Sequence, residues 1–253
     1  MFALAVREIE AKSILNASKI YDYCVNPYTG CQVGCAYCYA ALFMRRYSGH
    51  SEPWGEFVDA KVNAPALLAK QIVKAKPGTI WFASVCDCYQ PLEERYGLTR
   101  RSLEVLVGRD FPVVIQTKSA RVRRDLDIIK RIPDVEVGFS IASDDEKVIR
   151  MFERMSSPVA ERIEVLREFR AAGIPTFAFA GPLLPGNPER LAAILEGAVD
   201  HVLIDRMNYV PAVKAFYARH GLLDALTDEF FRTQSARLTR ALTARGIRVE
   251  RVF

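Results

Sequence analysis

Three cysteines, Cys31, Cys35 and Cys38, crowd into the short stretch Asn26-Pro27-Tyr28-Thr29-Gly30-Cys31-Gln32-Val33-Gly34-Cys35-Ala36-Tyr37-Cys38-Tyr39-Ala40, which is otherwise rich in glycine and aromatic residues. Cysteine binds metals as its thiolate, and structural zinc sites and simple electron carriers usually take four protein ligands, because a complete shell is the stable one. Three thiolates around a [4Fe–4S] cluster leave one iron without a protein ligand. A small molecule that docks on such an open corner can react there, so a three-ligand set implies catalysis. A fourth ligand, such as Cys24 or His50, would close the shell and imply a non-catalytic iron–sulfur or zinc-binding protein. Ligand number separates the two readings. His50, His201 and His220 form no metal constellation by spacing.

A second set of reactive residue types follows at Ser84, Cys86, Asp87 and Cys88, and then at Lys118 and Ser140. A thiol S–H bond is weaker than most C–H bonds, so a cysteine beside a carbon radical can quench it by giving up hydrogen, and Cys86 is the candidate for that role. Cys24, Cys86 and Cys88 could instead hold an auxiliary cluster, or all three could be buried and unreactive, a common state of cysteine. Arg45, Arg46, Tyr47 and Trp54 mix cations with aromatics, which suits nucleic-acid binding by charge and stacking or, equally, a cover over the cysteine loop. His50, in the same excursion over 40–56, reads as a solvated loop histidine.

The elements that must carry these residues are regular. Apolar runs at 20–25, 79–85, 113–117, 135–141, 176–180 and 201–205 read as strands, and 65–73, 99–107, 123–132, 159–172 and 188–197 as helices between them. Thr99 reads as a helix cap, and Gly173 as a helix stop. Short apolar strands alternating with amphipathic helices imply parallel strands joined by right-handed crossovers. Six such units make a partial (β/α)6 barrel rather than a closed eight-fold one. The expected plan is a single domain over 1–253, with a core at 20–210 and a helical cover at 211–253. In that cover, 226–245 forms one or two helices and 248–253 a final strand. Ser84, Asp87, Lys118 and Ser140 then fall at the carboxyl ends of the second, third and fourth strands, on the rim where barrel enzymes place their sites.

The C-x3-C-x2-C spacing, with Tyr37 directly before the last cysteine, resembles the cluster motif of the radical S-adenosylmethionine (SAM) superfamily. Asn26-Pro27-Tyr28-Thr29-Gly30-Cys31 with Cys38-Tyr39-Ala40 resembles more closely the branch that includes spore photoproduct lyase. Further matches are Asp87-Cys88-Tyr89-Gln90-Pro91, Leu98-Thr99-Arg100-Arg101, Thr117-Lys118-Ser119, Phe152-Glu153, Glu161-Arg162-Ile163 and Gly181-Pro182-Leu183-Leu184-Pro185-Gly186. The resemblance implies a [4Fe–4S] cluster on Cys31, Cys35 and Cys38 whose open iron is chelated by SAM. Reductive cleavage there gives methionine and a 5′-deoxyadenosyl radical that abstracts a substrate hydrogen. It also implies that Tyr37 and Tyr39 pack on or hydrogen-bond SAM, that Ser84 and Asp87 bind its amino group, that Lys118 pairs with its carboxylate and that Ser140 hydrogen-bonds its ribose. Glu153 with Arg162 is expected as an ion pair bracing one wall. The electron would come from an external reductant such as flavodoxin or ferredoxin. The lyase relative suggests a nucleic-acid substrate, with a small metabolite or peptide as the other options.

The remaining composition bounds the setting. The chain has 253 residues, half of them hydrophobic, and a net charge of +5 that is compatible with an anionic partner. No window approaches the roughly 20 uncharged apolar residues that span a bilayer, and Met1–Glu8 lacks the basic and apolar segments of a signal peptide. The expected location is cytoplasmic. Six cysteines in such a chain are better explained by metal ligation than by disulfides.

Overall fold

Runs of β-branched and aromatic residues set the strands, and the computed structural model describes residues 4–252 of the chain. Met1–Ala3, and Phe253 at the end of the expected final strand, lie outside the described residues. The chain divides into two compact units, Met1–Gly34 with Ala40–Val137, and Cys35–Tyr39 with Gly138–Phe253.

In the first unit, β1 (Tyr23–Val25), β2 (Ile80–Phe82) and β3 (Val113–Thr117) run parallel, with Val25 beside Phe82 and Phe82 beside Ile115. Val25, Ile80, Phe82 and Ile115 are fully buried, as expected for parallel strands covered on both faces. Leu15–Ala17 pairs antiparallel with β1 and is the edge strand. β4 (Val135–Ser140) begins in this unit, where the Val113 N–H donates to the Asp134 carbonyl at 2.9 Å. A separate small sheet pairs Ala5–Ile9 in parallel with Phe57–Lys61, and Tyr28–Thr29 antiparallel with that same strand. Sequence reasoning had placed no strand at 57–61, because Phe57-Val58-Asp59-Ala60-Lys61 follows a long polar excursion and carries two charges.

Three local expectations need correction. β2 ends at Phe82, not Val85, because Ala83 adopts φ +77°, which breaks the extended run and places Ser84 in the following loop. Thr99 is not a cap: the helix is Leu98–Leu106, Gly97 precedes it, and the Thr99 hydroxyl donates to the Cys88 carbonyl at 2.7 Å. The first-turn amides of Thr99 and Arg100 instead donate to the Glu93 carboxylate at 3.1 and 3.2 Å, so an acidic residue on another element caps this helix. The segment read as a helix over 123–132 is a 3₁₀ turn, Ala120–Asp125, followed by a short α-helix, Leu126–Ile129, with Ser119 accepting from the Arg121 amide.

In the second unit the end of β4 is followed by β5 (Thr176–Ala180) and β6 (His201–Ile204). β6 lies parallel to β5 on one side and to Arg248–Arg251 on the other, which is the expected final strand. Ile141, one residue past β4, donates its N–H to the Phe179 carbonyl at 2.9 Å. The helix Val159–Ala171 buries Ile163, Val165, Leu166 and Phe169, each contributing about 1.5–3 kcal/mol. Asp228–Thr243 is the long C-terminal helix, capped by the Thr227 hydroxyl. Among the described residues no helix is long and apolar enough to cross a membrane.

Candidate functional site

The cysteine loop is entered from the small sheet, where Thr29 sits opposite Asp59 and Tyr28 opposite Ala60. Gly30 then turns at φ +87° against the Phe57 backbone, where a Cβ would meet the Phe57 carbonyl oxygen at 2.3 Å. Only glycine tolerates both conditions. The next residue, Cys31, is 6% exposed, and its Sγ accepts the backbone N–H of Asp87 at 3.3 Å. Hydrogen bonds of this kind favour negative charge on sulfur and are one means by which proteins tune clusters.

The loop and the segment after β2 are tied reciprocally. Gln90 accepts from the Gln32 N–H at 2.8 Å and donates to the Gly30 carbonyl at 3.4 Å, while Gln32 accepts from the Leu92 N–H at 2.7 Å. The Asp87 carboxylate accepts from the Thr117 hydroxyl at 2.6 Å, the Lys118 N–H at 2.7 Å and the Tyr89 N–H at 2.9 Å. Two motifs matched in the sequence thus meet: the end of β3 clamps Asp87, and Asp87 aims its own amide at Cys31.

Asn26 supplies a further tie. Its side chain donates to the Ser84 hydroxyl at 2.9 Å and accepts from the Val85 N–H at 3.0 Å, and the Cys86 thiol lies 3.8 Å from the same oxygen. Lys61 donates to the Asn26 carbonyl at 2.8 Å; burial holds its ammonium below the usual lysine range. Burial also pushes the Cys88 thiol well up, which favours its protonated form. Sequence reasoning gave Asn26 no role beyond motif membership.

Tyr28 and Glu93 form another buried link. The Tyr28 hydroxyl donates to Glu93, which also accepts from the Arg124 guanidinium at 3.0 Å. Burial, then the neighbouring carboxylate, pushes the phenol well above its ordinary range. The only sequence signal was an acidic residue preceding a glycine-led helix start, which is weak.

In the second unit, Ala36 donates its N–H to the Phe152 carbonyl at 2.8 Å and Cys38 its N–H to the Cys35 carbonyl at 3.2 Å. Cys35 is 8% exposed, Cys38 is half-buried and Tyr39 is exposed. The Tyr37 hydroxyl donates to Glu153, and the expected Glu153–Arg162 pair is present at 2.8 Å with both side chains fully buried. Arg162 spends its other donors on the Ser157 and Ser140 carbonyls, each at 2.7 Å. Ser140, buried at the end of β4, and Tyr37, before the last cysteine, are therefore joined through one ion pair. Burial, then Glu153, pushes the Tyr37 hydroxyl well up, so it stays a donor.

His50 departs from the expectation. It is 5% exposed, stacked on Phe57 at 4.2 Å, with Nδ1 at 2.9 Å from Glu52 and Nε2 at 2.9 Å from Asp59. Both ring nitrogens are committed to carboxylates, so it is neither a solvated loop histidine nor a free fourth ligand. The excursion containing it is partly helical, Ala41–Ser48, and Phe57 behind it supplies the apolar surface that buries the ring. Among the described residues no three His, Cys, Asp or Glu side chains gather around a point fit for a single metal ion. A cubane cluster asks for thiolates on separate irons.

The family model "Radical SAM superfamily" matches residues 25–198. This chain belongs to the radical SAM superfamily. An uncharacterized protein of Methanocaldococcus jannaschii is 35% identical over 184 residues, 72% of this chain and 69% of that one. A radical SAM Nalpha-GlyT isomerase of Pseudomonas phage M6 is 25% identical over 227 residues, 83% of this chain and 46% of the isomerase, so this chain matches less than half of that enzyme. A mycobacterial relative is matched over 57% of its own length. The structure of a spore photoproduct lyase variant with bound AdoMet and dinucleoside spore photoproduct superposes with a TM-score of 0.71 at 19% identity, over 97% of this chain and 81% of that one. The expected fold class, an α/β partial barrel of the radical SAM type, is thereby shown, and the chain is an enzyme of that superfamily. The family implies SAM and a [4Fe–4S] cluster as cofactors. The residues of this radical SAM chain fit such a group on one direct observation, a cysteine sulfur in the motif that already receives a backbone N–H.

Proposed function

We propose that this chain reductively cleaves SAM at a [4Fe–4S] cluster held by Cys31, Cys35 and Cys38, and uses the resulting radical to abstract hydrogen from a nucleic-acid substrate. The observation that carries the reading is the amide of Asp87 directed at Cys31 Sγ, inside a loop fixed by Gln32 and Gln90. A loop so fastened is preorganised to present thiolates rather than rearranging when a cluster arrives. When bound, the cluster and SAM supply one-electron cleavage of a carbon–sulfur bond, with the electron delivered by a reductant of the flavodoxin or ferredoxin class.

The chain's own residues bind, orient and exclude water. Thr117 and Lys118 hold the Asp87 carboxylate, and with it the Asp87 backbone N–H that donates to Cys31 Sγ. Tyr37, the residue before the last cysteine, is fixed by Glu153, and Tyr39, which is exposed, is proposed to cover SAM. Ser84, Lys118 and Ser140 are proposed as SAM contacts at the carboxyl rim, with Asp87 beside them. Cys86 is proposed as the hydrogen donor to the substrate radical; its buried thiol lies 3.8 Å from the Asn26 side-chain oxygen. The reading of 1–253 as one catalytic domain belongs to the same proposal.

The test is anaerobic reconstitution followed by incubation with SAM and dithionite. Release of 5′-deoxyadenosine is expected, and Cys35→Ala is expected to abolish it. Undiminished release from Cys35→Ala would overturn the ligand assignment.

A further inference from the structure

The second unit contains a cleft of about 510 Å³ lined by Arg206, Asp228, Phe231, Arg232, Ser235, Ala236 and Arg251. Its volume lies in the range of roughly 300–1,000 Å³ typical of small-molecule sites. Its position is informative. Arg206 is two residues beyond the last residue of β6, and Arg251 pairs with that last residue, Ile204, at the end of a parallel strand. The two arginines therefore stand at the carboxyl ends of neighbouring parallel strands, the rim that α/β enzymes use for ligands. Arg232 joins them from the first turns of the helix Asp228–Thr243.

The lining carries three arginines and one aspartate, a net charge of +2. Arg206 is paired with Asp228, but the pair is exposed, with 45% and 73% of the two side chains accessible. Exposed pairs of this kind are weak, so an incoming phosphate can take over the Arg206 fork at little cost. Phe231 places an aromatic ring among the same arginines. Arginine forks beside a ring suit a phosphate ester attached to a flat base; a peptide would have to supply an equivalent cluster of negative charge.

We propose that this cleft binds a nucleotide phosphate with its base against Phe231, the phosphate being held by Arg206, Arg232 and Arg251. The inference rests on the reading of this chain as an enzyme with a nucleic-acid substrate and names where that substrate's backbone is gripped. The shared chemistry is a phosphate ester beside a base, from either a strand or a free nucleotide.

The test is fluorescence anisotropy on the reconstituted full chain with a fluorescein-labelled oligothymidylate of about ten nucleotides, titrated at several salt concentrations. The double variant Arg232→Gln/Arg251→Gln is expected to bind at least about tenfold more weakly, and its salt slope to fall by about 1.4, from two phosphate contacts at roughly 0.7 each. Phe231→Ala should weaken binding without changing the slope. Competition by thymidine monophosphate at equal concentration assigns the site to a free nucleotide, and its failure to compete assigns it to a strand. An oligonucleotide that does not bind, or binds the double variant with unchanged affinity and slope, overturns the proposal. The binding assay needs neither SAM nor reductant. Loss of 5′-deoxyadenosine release with arginine-dependent binding retained would strike the catalytic reading alone, and the converse would strike this one alone.

Discussion

Arg162 is the largest fully buried side chain among the described residues, and removing it tests how the wall beside the cysteine loop is held. Arg162→Met keeps most of the volume and deletes three donors, those to Glu153 at 2.8 Å and to the Ser140 and Ser157 carbonyls at 2.7 Å. Leaving one partner of a buried ion pair without its counter-ion costs about 3–5 kcal/mol. Each orphaned carbonyl adds roughly 1 kcal/mol where no water replaces the lost donor. These losses are not additive, and a total of about 4 kcal/mol is a large share of a typical stability of about 5–15 kcal/mol. The second arm, Arg162→Met/Glu153→Gln, removes the stranded charge while leaving an amide that Tyr37 can still reach. If the charge is the main cost, the double variant should recover about 2 kcal/mol, a coupling within the range seen for hydrogen-bonded networks. Urea unfolding followed by circular dichroism reads this directly, with the single variant's midpoint lower by roughly 1 M or more. A single variant that loses less than about 1 kcal/mol, or a double variant no more stable than the single, would refute the argument that a buried charge is being compensated there.

Two other outcomes follow from local geometry. Gly30→Ala, with φ +87° and the Phe57 carbonyl 2.3 Å from the new Cβ, should lower stability by at least about 2 kcal/mol, whereas Gly221→Ala, with φ +67° and nothing within 4 Å, should cost only about 1 kcal/mol. Equal midpoints for the two variants would contradict the clash. His201 is buried on β6, and burial, with Arg248 nearby, holds its imidazole below the ordinary value of 6.5 against the opposing pull of Glu250 and Asp200. The unfolded chain therefore binds the proton more readily. His201's contribution is intact above its unfolded pKa of about 6.5 and falls away as pH drops through and below that value. Thermal melts between about pH 5 and pH 8 should show that slope, and His201→Gln should flatten it; a slope identical in the variant would exclude His201 as its source.

The parts legible in the sequence were those encoded locally. The periodicity around 159–172 and the Gly173 stop fixed a helix that the structure draws at Val159–Ala171, and apolar runs fixed β3, β5 and β6 within a residue or so. What escaped depended on partners distant in sequence. No window around Phe57–Lys61 shows that Ala5–Ile9 will pair with it, since the pairing is parallel and separated by some fifty residues. Thr99 looked like a cap because threonine before an amphipathic run usually is one, but the Glu93 carboxylate reached the helix amides first. His50 looked solvated because its neighbours in sequence are polar, and only the fold brings Phe57 and Asp59 to it.

The same distinction applies within the site. In the sequence, Asp87 and Lys118 read as contacts to a cofactor by resemblance, and Gln90 and Thr117 only as members of the matched motifs. The hydrogen bonds give several of these residues an earlier duty. Gln90 is fully buried and spent on Gly30 and Gln32, and the Asp87 carboxylate has accepted three donors from its own chain before any ligand arrives. A carboxylate committed in that way contributes chiefly through position, by fixing the amide that points at Cys31. The motif's specificity for a cysteine loop, and its silence about the molecule attacked, follow from that wiring: what it specifies is the geometry around Cys31, and that requirement does not change with the substrate.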